Sequence, residues 1–170
     1  EKAGIIQEND NVLIYPANDS IVDVISNICK EQNANFSILD ENNIEIKDIG
    51  AHGNKFSFRN INYTTKMVGQ HQICNASLAL AAIFNLRSRG IIDIDDKTIS
   101  SALALSTWAG RLEWIRPNIL LDGAHNNDGI SSLVNYLSVN NFPKLKILLG
   151  ILEDKDYKDM VTKLKTIPAE

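Results

Sequence analysis

Apolar residues recur along this chain in two rhythms, and the switch between them marks the elements. Val12, Leu13, Ile14 and Tyr15 make a short apolar run with β-branched members, which predicts a buried strand. Asn18 or Asp19 stands where a helix cap is expected. Ile21, Val24, Ile25, Ile28 and Cys29 then follow at spacings that place them on one helical stripe. A second run at 36–39 completes a strand–helix–strand step. From Ile44 to Met67 the pattern shortens to alternating pieces such as Ile44-Glu45-Ile46 and Phe56-Ser57-Phe58, separated by Gly50, Gly53 and Asn54. These predict hairpin strands at the margin of a domain.

Gln70 to Arg89 is Ala-rich and apolar nearly all round, the pattern of a long helix buried on more than one face, and Gly90 stops it where a left-handed cap is expected. A shorter helix is predicted from about Asp96 to Ser106, after which residues 108–114 break the period. Pro117 disfavours helix before it and opens a new rhythm. That rhythm is a buried strand at 119–121, a stripe of Ile130, Leu133, Val134 and Leu137, a second strand at 147–149, and a stripe of Tyr157, Met160, Val161 and Leu164. Strand and helix in alternation predict an α/β arrangement with parallel strands covered by helices. The expected division is 1–116 and 117–170, with residues 117–170 as the first half of a domain. Glu1 is not an initiator Met and Glu170 follows directly on a helical pattern, so both ends read as those of a piece of a longer protein.

Composition narrows the class. In 170 residues, 44% are hydrophobic and 22% charged, as in ordinary globular proteins. No apolar run reaches the roughly 18–20 residues of a bilayer span, so a cytoplasmic protein without membrane partners is expected. A net charge of −4 argues against nucleic acid, which requires a surplus of Lys and Arg on one face. Cys29 and Cys74 fall inside helical patterns without CxxC spacing or clustered His, and read as reduced core thiols.

Candidate chemistry gathers after the predicted strand 119–121. Asp122-Gly123-Ala124-His125-Asn126 follows it directly, at the carboxyl end of a strand where open α/β sheets place their ligands. Gly123 permits a tight turn, and the next helix aims its first amides at the same crevice. The alternative is a plain connecting loop in which Asn126, Asn127 or Asp128 caps the helix. Gly110-Arg111-Leu112-Glu113 offers a guanidinium suited to phosphate oxygens, with Glu113 to orient it; the alternative is a surface Arg–Glu pair at a linker. His71 reads as a satisfied structural histidine and His52 as a solvated surface one.

The run GRLEWIRPNILLDGAHN resembles the signature of the folylpolyglutamate synthase / dihydrofolate synthase branch of the Mur ligase superfamily. Further segments are similar to that family in the same order. They are Glu1-Lys2-Ala3-Gly4-Ile5, then Gly69-Gln70-His71-Gln72 with Asn75-Ala76, and Gly150 to Asp156 (GILEDKD). Asn127 stands where the family commonly has Pro, which capping by Asn can replace.

The resemblance implies the end of a Mur-ligase-like central ATPase domain followed by the start of a Rossmann-like C-terminal domain. It implies an ATP-dependent ligase that joins L-glutamate to dihydropteroate or a reduced folate through an acyl phosphate, with ATP and Mg²⁺. By position, Asn75 would read the adenine edge, Arg111 would contact the phosphates, and Asp122 the ribose or another polar edge of the nucleotide. His125 would sit beside the phosphates or the incoming acyl group, and Lys2, carbamylated in the intact enzyme, would help organise Mg²⁺. Domain closure would hinge near Arg116-Pro117. No GxxxxGK[ST] phosphate loop occurs in the sequence, so this chain alone is expected to be inactive. The competing readings are a peptidoglycan-precursor Mur ligase and a non-catalytic nucleotide-binding or interaction module.

Overall fold

The computed structural model describes residues 2–140, 142 and 144–168, with the backbone alone at Lys2. The first predicted step is present. Strands β1 (Asn11–Ile14) and β2 (Asn35–Ile38) pair in parallel across helix α1 (Asp19–Glu31), whose cap is Asn18, accepting from the Ile21 amide at 3.0 Å. Cys29 is the buried member of the α1 stripe, while Ile21 and Val24 remain exposed.

Strands β3 (Ile44–Gly50), β4 (Gly53–Phe58) and β5 (Ile61–Thr65) form an antiparallel meander. It is central rather than marginal, which corrects the sequence expectation. Phe56, Phe58 and Tyr63 are the middle of the largest core, packed with Ile73 and Leu80 of α2 (Gln70–Ser88) and Ile99 of α3 (Asp96–Leu105). Short alternating strands look peripheral in sequence, yet two helices on one face make them a core layer.

Helix α2 buries Gln72, Ile73, Ala76, Ser77, Leu80 and Ala81, and touches β1, β3, β4 and the later helix α4 (Asn127–Asn140). Its exposed stripe runs through Asn75, Ala79 and Ala82. Gly90, at φ +68°, closes the helix as expected, with Ile91 N–H donating to the Leu86 carbonyl. Asp95 caps α3 by accepting from the Thr98 amide at 2.7 Å.

The 108–121 region departs from expectation. Residues 113–116 are a strand, β6 (Glu113–Arg116), turning at 117–118 into β7 (Ile119–Leu121), so β7 pairs antiparallel with its immediate predecessor. Ile119 and Leu121 are exposed, and residues 147–149 form no strand at all; Leu148 is fully exposed. A short apolar run becomes a strand only beside a neighbour that accepts its ladder. Among the described residues the adjacent hairpin partner satisfies β7, and 147–149 has none. Ile147 instead packs with Ile130 of α4 and with Met160 and Leu164 of α5 (Tyr157–Leu164).

Val68, Leu112, Tyr136 and Leu137 form a further cluster that joins the start of α2 to α4. At its edge the Ala51 carbonyl, at the β3–β4 turn, accepts from both Trp114 Nε1 at 2.7 Å and Tyr136 Oη at 2.8 Å. Among the described residues the architecture is mixed α/β with one parallel pair.

Candidate functional site

Three of the sequence motifs converge. The turn after β7 is tied to the turn before β6 by backbone: Gly123 N–H donates to the Gly110 carbonyl at 2.7 Å. A Cβ on Gly123 would stand 3.2 Å from that oxygen, so glycine permits the close approach. Asp122 completes the tie, its two carboxylate oxygens accepting from the amides of Leu112 (2.8 Å) and Ala124 (2.9 Å). Leu112 is buried and has φ +47°, an unusual backbone for a γ-branched residue. The Asp122 bond holds that residue in place.

Arg111 projects from this turn, exposed, and makes no side-chain hydrogen bond or ion pair among the described residues. Glu113 does not pair with it; its Oε2 accepts from the Gly110 amide at 2.7 Å. Arg111 lines a cleft of about 440 Å³ shared with Lys66, Trp108 and Trp114, a volume in the range of small-ligand sites. His125 is exposed, with Nδ1 2.9 Å from the Gly123 carbonyl. A carbonyl only accepts, so the proton sits on Nδ1, and Nε2 of the neutral ring is left as an acceptor. Asn126, not Asn127, caps α4, accepting from the Gly129 amide at 2.8 Å.

The start of α2 reaches the same place. Burial lowers the His71 pKa; the Asp122 charge raises it and the Arg111 charge lowers it, which sets the imidazole among the other motifs. A side-chain relay fixes its tautomer. Asn75 Nδ2 donates to Gln72 Oε1 at 3.2 Å, and Gln72 Nε2 donates to His71 Nε2 at 3.1 Å. An imidazole that accepts from an amide is neutral, in accord with the lowered pKa. His71, read from the sequence as a satisfied structural histidine, is satisfied by Gln72 and stands beside the candidate site. Its i, i+4 spacing from Asn75 was the available signal. Gln72, buried between the two, stands in the segment that carries the resemblance, but no role was assigned to it from sequence.

His52 is exposed, as expected of a surface histidine, and its ring lies 5.4 Å from that of Trp114. Of Lys2, the side chain lies outside the described residues. Among the described residues no group of three or more His, Cys, Asp or Glu is arranged to hold a metal ion, and no helix is long and apolar enough to cross a membrane.

An α/β fold with these three turns drawn together is of the Mur-ligase kind. No family model matches the chain. The dihydrofolate synthase/folylpolyglutamate synthase of Bacillus subtilis is 31% identical over 178 residues, covering 98% of this chain and 41% of that protein. Folylpolyglutamate synthase of Mycobacterium tuberculosis, solved with ADP, superposes with a TM-score of 0.81 at 26% identity, over 98% of this chain and 39% of that one. A folylpolyglutamate synthase solved with AMPPCP and folate gives 0.81 at 26%, over 97% and 42%. The chain thus spans about two fifths of the length of these relatives. Over that span it belongs to the folylpolyglutamate synthase / dihydrofolate synthase family.

Proposed function

We propose that this chain carries part of the ATP site of a cytoplasmic ligase that adds L-glutamate to dihydropteroate, to a reduced folate, or to both. The observation that carries the reading is the convergence of the Gly110-Arg111 turn, the Asp122-to-Asn126 turn and the His71–Gln72–Asn75 relay at one place. The relatives solved with ADP, and with AMPPCP and folate, support it.

In this reading Arg111, without a side-chain hydrogen bond or ion pair among the described residues, takes phosphate oxygens bidentately. Asn75, exposed one turn into α2, meets the adenine edge with its amide, while the relay holds its orientation. Asp122 is committed first to two backbone amides; it shapes the turn and offers the ribose only its remaining lone pairs. His125 presents Nε2 toward the phosphates or the acyl group. The γ-phosphoryl passes to the substrate carboxylate, and the glutamate amine displaces phosphate from the acyl phosphate so formed. Positioning and charge stabilisation supply most of the acceleration. Mg²⁺ belongs to the family's chemistry, with Lys2, if carbamylated, to help organise it, and no step here is assigned to it. Residues 1–116 would end the ATP-binding domain and 117–170 begin the glutamate-ligase domain.

Titrating the chain with ADP and following its amide resonances tests the nucleotide reading. Saturable shifts are expected at His71, Asn75, Arg111, Asp122 and His125, with affinity reduced about tenfold in Arg111→Ala. Shifts confined to other regions, or unchanged affinity in Arg111→Ala, would sink it. For the reaction, ADP release by the enzyme containing this segment, given Mg-ATP and glutamate, has to depend on dihydropteroate or tetrahydrofolate.

A further inference from the structure

Helix α2, which carries His71 and Asn75, begins without the side-chain cap that α1 and α3 have. Its cap residue is Gly69, at φ +90°. Glycine is required there twice over. The backbone is left-handed, and an added Cβ would lie 2.9 Å from Cε1 of His71 and 3.2 Å from Cδ1 of Leu112. The chain therefore passes directly under the His71 ring, where Ser, Thr, Asp or Asn cannot supply the usual capping oxygen. An uncapped start of this kind frays unless another element holds it.

That element is β4. Asn54 is 1% exposed and sits opposite Thr65 in the β4–β5 ladder. Its Nδ2 donates to the carbonyls of Met67 (2.8 Å) and Gly69 (3.0 Å), the second of which also receives the Gln72 amide, the first bond of the helix. Thr65 Oγ1 accepts from Met67 N–H at 3.1 Å, so the segment is held from both sides. The Oδ1 of Asn54 is buried with no protein partner among the described residues. Leaving a buried acceptor unsatisfied costs about 1–3 kcal/mol, which an apolar residue at this site would avoid. Only the two donated bonds explain an amide here.

We propose that Asn54 is a positioning residue, which sets the start of α2 through these two bonds and so places His71 and Asn75 against Arg111 and Asp122. The consequence for nucleotide binding rests on the function proposed above; the positioning itself does not.

The test begins with the unaltered chain. The side-chain amide protons of Asn54 exchange with water at least about tenfold more slowly than those of exposed Asn60, as expected of bonded, buried donors; equal rates overturn the proposal. Asn54→Asp keeps the shape but turns both donors into acceptors facing carbonyls. The backbone amides of Gln72 and Ile73 then exchange about tenfold faster with Leu80 unchanged, and the His71 titration, followed by its ring resonances, moves upward as the ring is released into solvent. Met160→Leu, a core change in a separate cluster, leaves both readouts in place. If Asn54→Asp does not fold, the exchange of the native side-chain amide decides alone. If the variant folds and neither the first-turn exchange nor the His71 titration moves, Asn54 is not positioning this site. Weaker ADP binding in Asn54→Asp extends the result to the nucleotide. Absence of ADP binding by the native chain, with the His71 response intact, retains the positioning role and removes the nucleotide reading.

Discussion

His71 concentrates what single residues contribute here. Burial holds its pKa below the ordinary imidazole value, and Gln72 reinforces the neutral form by donating to Nε2. The unfolded chain, with an imidazole near about 6.5, takes up a proton first as pH falls. The folded state binds fewer protons in that window, so this contribution is fully present above about 6.5 and is lost as pH falls from there toward the lower folded value. The urea midpoint should therefore decline between about pH 7 and pH 5.5, with a shallower decline in His71→Gln. An equal slope in both proteins would show that the half-buried imidazole is not its source.

Among the elements, the paired turns before β6 and after β7 depend on one carboxylate. Asp122→Ala leaves the amides of Leu112 and Ala124 without their acceptor, and Leu112 without restraint on its positive φ. The expected loss is about 2 kcal/mol for two charge-assisted bonds that are partly solvated. Chemical denaturation measures it, and Asp122→Asn, which retains one accepting oxygen, should recover part of it.

Elements whose pattern was local were legible in the sequence. The cap and stripe of α1, the glycine stop of α2 at Gly90 and the start of α3 near Asp96 all depend on residues within a turn of one another. Beyond the β1–β2 step, pairing was not legible, because it depends on which neighbour is nearest in space. Ile119 to Leu121 reads equally well as a parallel core strand or as half of a hairpin, and the turn at 117–118 decides for the hairpin. At the candidate site, Arg111, Asp122 and His125 were visible as motifs. The bonds from Asn54 cross between segments and leave no trace in local spacing.

At the scale of the whole molecule, the grip on the Ala51 carbonyl joins the β3–β4 turn to α4 across 85 residues of chain. Trp114 and Tyr136 both donate to it, the Trp114 ring meets His52 and Phe142, and Tyr136 is 1% exposed. Burial also raises the Tyr136 pKa, so the phenol stays a donor throughout the neutral range. Any closing motion about Arg116-Pro117 must carry this contact intact or break it. Tyr136→Phe removes one of the two donors and should cost about 1 kcal/mol. Hydrogen exchange at the β3–β4 turn should rise more than exchange in α1. Uniform acceleration across both would indicate general loosening instead.

The hairpin of β6 and β7 has a practical consequence as well. Among the described residues β7 has a single neighbour, and its outward Ile119 and Leu121 lie in the same part of the sequence as the wholly exposed Leu148 and the exposed Leu152. An unpaired strand edge flanked by bare aliphatic side chains is a template for association with another copy of itself. The net charge of −4 is a weak counterweight, since salt screens repulsion between exposed charges beyond about 8–10 Å. Purified stocks of this chain are best kept dilute and at low ionic strength, where that repulsion still keeps the edges of separate molecules apart.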